Sequence, residues 1–147
     1  MMSRLQETKR AYDRLTRLLD QEIRQRKGES KDLANFREVL DVAFYLLGWA
    51  QFEYLVREEV KEIVENKAKI KSLDRYAWQH LKEGIKEYSV RKRMDLIFDG
   101  NPEIRGKLDK DYTVRNEAAH NYKKLPNEAK DVSIWLQKLE DLVDRFE

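Results

Sequence analysis

Residues Phe36 to Leu55 read FREVLDVAFYLLGWAQFEYL. Apolar side chains fall at Phe36, Val39, Leu40, Ala43, Phe44, Leu47, Ala50, Tyr54 and Leu55, steps of three and four that match one turn of an α-helix. The apolar character goes nearly all the way round in the middle of this segment, which predicts a central, buried helix running from about Asp32 until it turns polar toward Asn66. Ala43, Gly48 and Ala50 would let a neighbouring helix approach. A glycine inside a helix costs about 1 kcal/mol relative to alanine, so Gly48 points to a packing reason. The most apolar run, Val42 to Ala50, is bounded by Asp41 and Gln51 and is too short to cross a bilayer.

Outward from this segment, the pattern stays helical. A first helix is expected from an N-cap at Ser3 to Lys27, with Leu5, Tyr12, Leu15, Leu18, Leu19 and Ile23 as its core stripe and Gly28 as its stop. A third is expected from an N-cap at Ser72, with a break near Gly84, up to the turn Asp99-Gly100-Asn101-Pro102. The fourth runs from Pro102 to Lys124, where Pro126 forbids continuation. Asn127 is expected to cap the fifth, whose Val132, Trp135, Leu136, Leu139, Leu142, Val143 and Phe146 face the core. With no strand signal and no repeat, the expectation is an all-α antiparallel bundle of about five helices in a single domain, 1–147.

Composition agrees with that class. Charged residues make up 39% and hydrophobic ones 41%, with only 5 Gly and 2 Pro, the profile of a helical globular protein. No Cys is present, so thiol nucleophiles, disulfides and thiolate metal sites are ruled out. The opening MMSRLQETKRAYDRL lacks the apolar region of a signal peptide, and a cytoplasmic protein with no membrane partner is expected. The net charge of +2 is unevenly spread: residues 1–31 carry nine Lys or Arg against five acids, and residues 126–147 three against six. Basic clusters at Arg24–Lys27, Lys67–Lys71, Arg91–Arg93 and Lys123–Lys124 read mainly as solvated faces, with one or two able to track phosphates.

Site chemistry concentrates in Arg115-Asn116-Glu117-Ala118-Ala119-His120-Asn121-Tyr122. On a helix, Asn116 and His120 share a face, and Arg115 and Tyr122 share a neighbouring stripe, placing all four on one broad arc. Arg75 and His80 repeat the bare spacing in RYAWQH, but bulky Tyr76 and Trp78 lie between them. The string RNEAAHNY resembles the signature of the HEPN family (higher eukaryotes and prokaryotes nucleotide-binding), all-α bundles in which an Arg, a polar residue and a His form a ribonuclease site. The ending His-x-Tyr is similar to the branch found in bacterial toxin and antitoxin pairs.

That resemblance implies a metal-independent endoribonuclease with no cofactor. RNA carries its own nucleophile, the 2′-hydroxyl, so protons need only be moved and an anionic phosphorane stabilised. His120 would serve as base or acid, Arg115 as a planar donor fork for phosphate, and Asn116 would hold the ring or a phosphate oxygen. Lys123 and Lys124 would extend the RNA contact. In the family resembled, two motif helices meet across a homodimer axis to build one composite site, which would suit the small Ala118 and Ala119. Tyr122 would be the residue to which a partner nucleotidyltransferase, acting as antitoxin, attaches adenylate. Glu53 reads either as an accessory group orienting Arg115 or His120, or as an exposed glutamate on a helix flank. The competing reading is a non-catalytic helical module that binds a nucleotide, RNA or protein.

Overall fold

A computed structural model describes residues 4–25, 28, 30–121, 125 and 131–146. Among these, six α-helices and no strand occur: α1 (Arg4–Gln25), α2 (Ser30–Lys69), α3 (Arg75–Gly84), α4 (Val90–Ile97), α5 (Pro102–Asn121) and α6 (Val132–Asp144). The chain is all-α, as its periodicities require. The residues group into two compact units.

The first unit comprises residues 1–52 and 110–145, with 147. Here α1 packs on α6, and Tyr45, Trp49, Phe52, Val132, Leu136 and Leu139 fill the core. Trp49 is fully buried and stacks at 5.1 Å on Trp135 and edge-on at 5.8 Å on both Phe52 and Tyr112. Gly48 has the packing reason its cost demanded: a Cβ there would lie 2.4 Å from Leu136 Cδ2, and Leu136 is itself fully buried. Gly48→Val is expected to destabilise the fold by about 1–3 kcal/mol through overpacking. An unchanged urea midpoint would show that Leu136 has room to yield.

The buried stripe of α1 differs from the one expected. Leu5, Thr8, Tyr12 and Thr16 face inward, while Leu15 and Leu18 are exposed. The threonines are tolerated inside because their hydroxyls are bonded: Thr8 Oγ1 donates to Gln51 Oε1 at 2.7 Å, and Thr16 Oγ1 to the Tyr12 carbonyl at 2.8 Å. The displaced leucines join Phe36, Val39 and Leu40 around an apolar groove of about 480 Å³. Accordingly α2 is not buried all round. Val42, Tyr45, Trp49 and Phe52 are inside, whereas Phe36 (57% exposed), Val39 and Leu47 look outward. By length and composition alone α2 is apolar enough to cross a membrane, a test that core helices also pass.

The second unit is residues 53–109 with Phe146, built around Val56, Val60, Val64, Met94 and Leu108. The expected third helix is two, because the chain tightens after Gly84 into a 3-10 turn, Ile85–Glu87, and then extends through Tyr88 and Ser89. Ser89 restarts the helix, its Oγ accepting from Lys92 N–H. Ser72 is not the cap of α3. Its hydroxyl donates to Asp74 Oδ1 at 2.6 Å, and Asp74 occupies the cap position. Arg105 fastens α5 to α4, with bonds to Asp95 at 2.6 Å and the Arg91 carbonyl at 3.0 Å, and it bonds Asp109 on its own helix at 2.8 Å. Asn101 caps α5 through Ile104 N–H, with Pro102 as first helical residue. In the first unit Asp131 caps α6, and Ser3 and Asn127 lie outside the described residues.

Candidate functional site

The motif occupies the C-terminal half of α5, within the first unit. Of its chemistry-bearing side chains, Arg115, Asn116 and His120 are described. Tyr122, Lys123 and Lys124 lie outside the described residues. Along α5, Leu108 and Ala118 are buried, Asp111, Tyr112 and Arg115 half-buried, and Thr113, Glu117 and His120 exposed. Five residues at about 100° each put Arg115 and His120 about 140° apart. The broad arc is therefore divided: Arg115 sits on the side turned toward the bundle and His120 on the outer side.

Arg115 is held locally. One of its terminal nitrogens donates to Asn116 Oδ1 at 3.1 Å, its guanidinium lies 5.6 Å from the centre of the Tyr112 ring, and its Nε is shielded from solvent. Asn116 thus links the inner stripe to the outer one, its side-chain oxygen bonded to the arginine. His120 makes no hydrogen bond or ion pair among the described residues and is open to approach. Ala118, expected to face a partner helix, is 1% exposed within the chain itself, so its small size serves internal packing. Ala119 is half-buried.

Residues that the sequence pattern did not single out share the first unit with Arg115. Asp111 accepts from Lys138 Nζ at 2.6 Å, and that ammonium lies 5.3 Å from the Trp135 ring. Burial pushes the Tyr45 phenol up to about 12, the negative charge of Asp111 adding to the shift and the positive charge of Arg115 opposing it. No family model, curated protein or solved structure matches the chain. Glu53, in the second unit, is not exposed on a helix flank: it is half-buried with Oε1 shielded from solvent. The Arg75 and His80 pair resembles the motif in placement, with Arg75 half-buried 5.8 Å from the Tyr76 ring and His80 exposed. What separates the two is the Arg115–Asn116 bond.

A recess of about 640 Å³ in the first unit, lined by Tyr12, Asp13, Arg17, Asp20, Arg37 and Asp131 among others, was not legible from spacing. No described motif residue lines it. Two of its lining side chains are engaged with Asp41: Tyr12 donates to it at 2.6 Å, and Arg37 bonds it together with the Tyr12 hydroxyl and Asp20. Burial, reinforced by the bond to Asp41, pushes Tyr12 up to about 12. For Tyr12 and Tyr45 the folded state holds the phenolic proton more tightly than the unfolded chain. Their contribution is intact below pH 10.0 and is lost as the pH climbs toward about 12. The urea midpoint should fall across that window more steeply in the parent than in Tyr45→Phe, and parallel curves would contradict it. Among the described residues no three His, Cys, Asp or Glu side chains converge to hold a metal ion.

Proposed function

We propose that the protein is a metal-independent endoribonuclease of the HEPN type, a component of a toxin or defence system, with Arg115, Asn116 and His120 as its site. The observation that carries this reading is the pairing of a guanidinium held by Asn116 with an exposed imidazole one turn further along the same helix. His120 is the proton carrier for the 2′-hydroxyl or the leaving 5′-oxygen. Arg115 stabilises charge on the phosphorane. One imidazole is an incomplete acid-base set, and a second copy of the chain, bringing its own α5, supplies the other. The exposure of His120 supports such an approach. Lys123 and Lys124 extend the RNA contact, and Tyr122 is the point at which a cognate nucleotidyltransferase silences the enzyme.

Purified protein incubated with total RNA is expected to cut it in excess chelator and to leave 2′,3′-cyclic phosphate ends. Products ending in 3′-hydroxyls, or loss of cutting in EDTA, would refute the mechanism. Sedimentation should show a dimer, and a large side chain at Ala119 should weaken dimerisation and cutting together. A second reading, a non-catalytic module binding RNA or a partner protein, is favoured by the local engagement of Arg115 with Tyr112 and Asn116. It predicts binding of RNA with no turnover.

A further inference from the structure

The second unit contains a recess of about 250 Å³ into which Arg57, Lys61, Lys82, Lys86 and Arg93 converge. Two acids, Glu58 and Glu65, share its wall, yet among the described residues none of the five cations forms an ion pair. Elsewhere in the unit, Arg91 and Arg105 both grip Asp109. Arg57 and Lys61, four apart on α2, stand on one face about 6 Å apart along the axis. Lys82 and Lys86 straddle the switch from α3 to its 3-10 turn. Arg93 is fixed at the edge, one terminal nitrogen donating to the Ile85 carbonyl at 2.9 Å.

Like charges gathered in this way repel unless an anion joins them. Burial, and after it the charge of Arg57, lowers the proton affinity of the Arg93 guanidinium, the direction expected of a cation held among cations. The volume bounds the size of the anion. Pockets that enclose drug-sized ligands run to roughly 300–1,000 Å³, so this recess is small for an entire nucleotide but suited to phosphate groups of a strand passing over it. Guanidinium forks bind phosphate oxygens in pairs, and flanking ammonium groups add charge without demanding one geometry.

We propose that the recess formed by Arg57, Lys61, Lys82, Lys86 and Arg93 seats the phosphodiester backbone of single-stranded RNA. This deepens the RNA reading, on which the choice of polyanion rests, but it stands on charge in the second unit and is tested by binding. Cleavage could fail while this seat holds, or the reverse.

The test uses the full chain with His120→Ala, so that RNA stays intact, and a fluorescent single-stranded RNA titrated at several salt concentrations. Combining Arg57→Gln, Lys61→Gln and Lys86→Gln, all at exposed positions, should weaken binding at least about tenfold at low salt. The slope of log K against log salt should shrink by about 0.7 per lost contact, hence about 2 in total. Lys107→Gln, an exposed lysine outside the recess, should change neither. Arg57→Lys should retain most of the affinity. The urea midpoint of the triple variant should be equal or higher, since repulsion is relieved. If it is lower, Lys61→Gln and Lys86→Gln taken singly decide, each expected to remove about 0.7 from the slope. Unchanged RNA binding in the recess variants, or equal loss in Lys107→Gln, would overturn the proposal. So would a defect confined to phosphatidylserine vesicles with RNA binding intact.

Discussion

RNA cleavage by His120→Ala is expected to fall at least about 100-fold below the parent while the urea midpoint stays put, because a general acid or base contributes about 10²–10⁴ in rate. The side chain is exposed and makes no bond among the described residues, so its removal has little to disturb in the fold. Arg115 calls for a gentler substitution. Alanine would strip both the bond to Asn116 and the contact with Tyr112, whereas Arg115→Lys keeps the charge and removes the planar fork. A loss of about tenfold or more in Arg115→Lys, without a change in melting, separates phosphate binding from packing. His80→Ala is the control. If it lowers cleavage as far as His120→Ala does, the site belongs to α3.

The largest expected effect on stability is at Trp49. Its indole is fully buried among Phe52, Tyr112 and Trp135, and truncation of such a side chain costs about 3–5 kcal/mol in lost burial and cavity formation. Phe36→Ala on the same helix should stay within about 0.5 kcal/mol, since Phe36 is 57% exposed. Urea titrations of the two variants give the comparison directly. Equal midpoints would mean that the inner and outer faces of α2 have been assigned the wrong way round.

The all-α class was legible because period and composition agree over every long segment. What the sequence concealed was azimuth. On α1, period alone offers two stripes, and leucines outweigh threonines on any hydrophobic scale. The inward stripe nevertheless holds Thr8 and Thr16, because Gln51 and the Tyr12 carbonyl satisfy their hydroxyls. On α5 the same uncertainty separated Arg115 from His120, since sequence spacing fixes their relative angle but not which of them meets the bundle. The break after Gly84 was anticipated, and Ser89, followed by Val90, carried the signal for the restart. Gly48 was the most reliable single inference. Only tertiary contact justifies a glycine there, and Leu136 supplies it.

The packing of α1 on α6 has a consequence for synthesis. These helices are separated in sequence by everything from residue 26 to residue 131, so α1 emerges from the ribosome long before the surface it needs exists. Residues 53–109, all of the other unit except Phe146, are available earlier as one continuous stretch. Until α6 is made, α1 lacks the helix it packs on and stays accessible to chaperones and proteases. Closing so long a loop also slows the final step relative to a bundle whose neighbours follow one another in sequence. A nascent chain stalled before α6 should be cleaved within α1 by a protease that spares the completed protein.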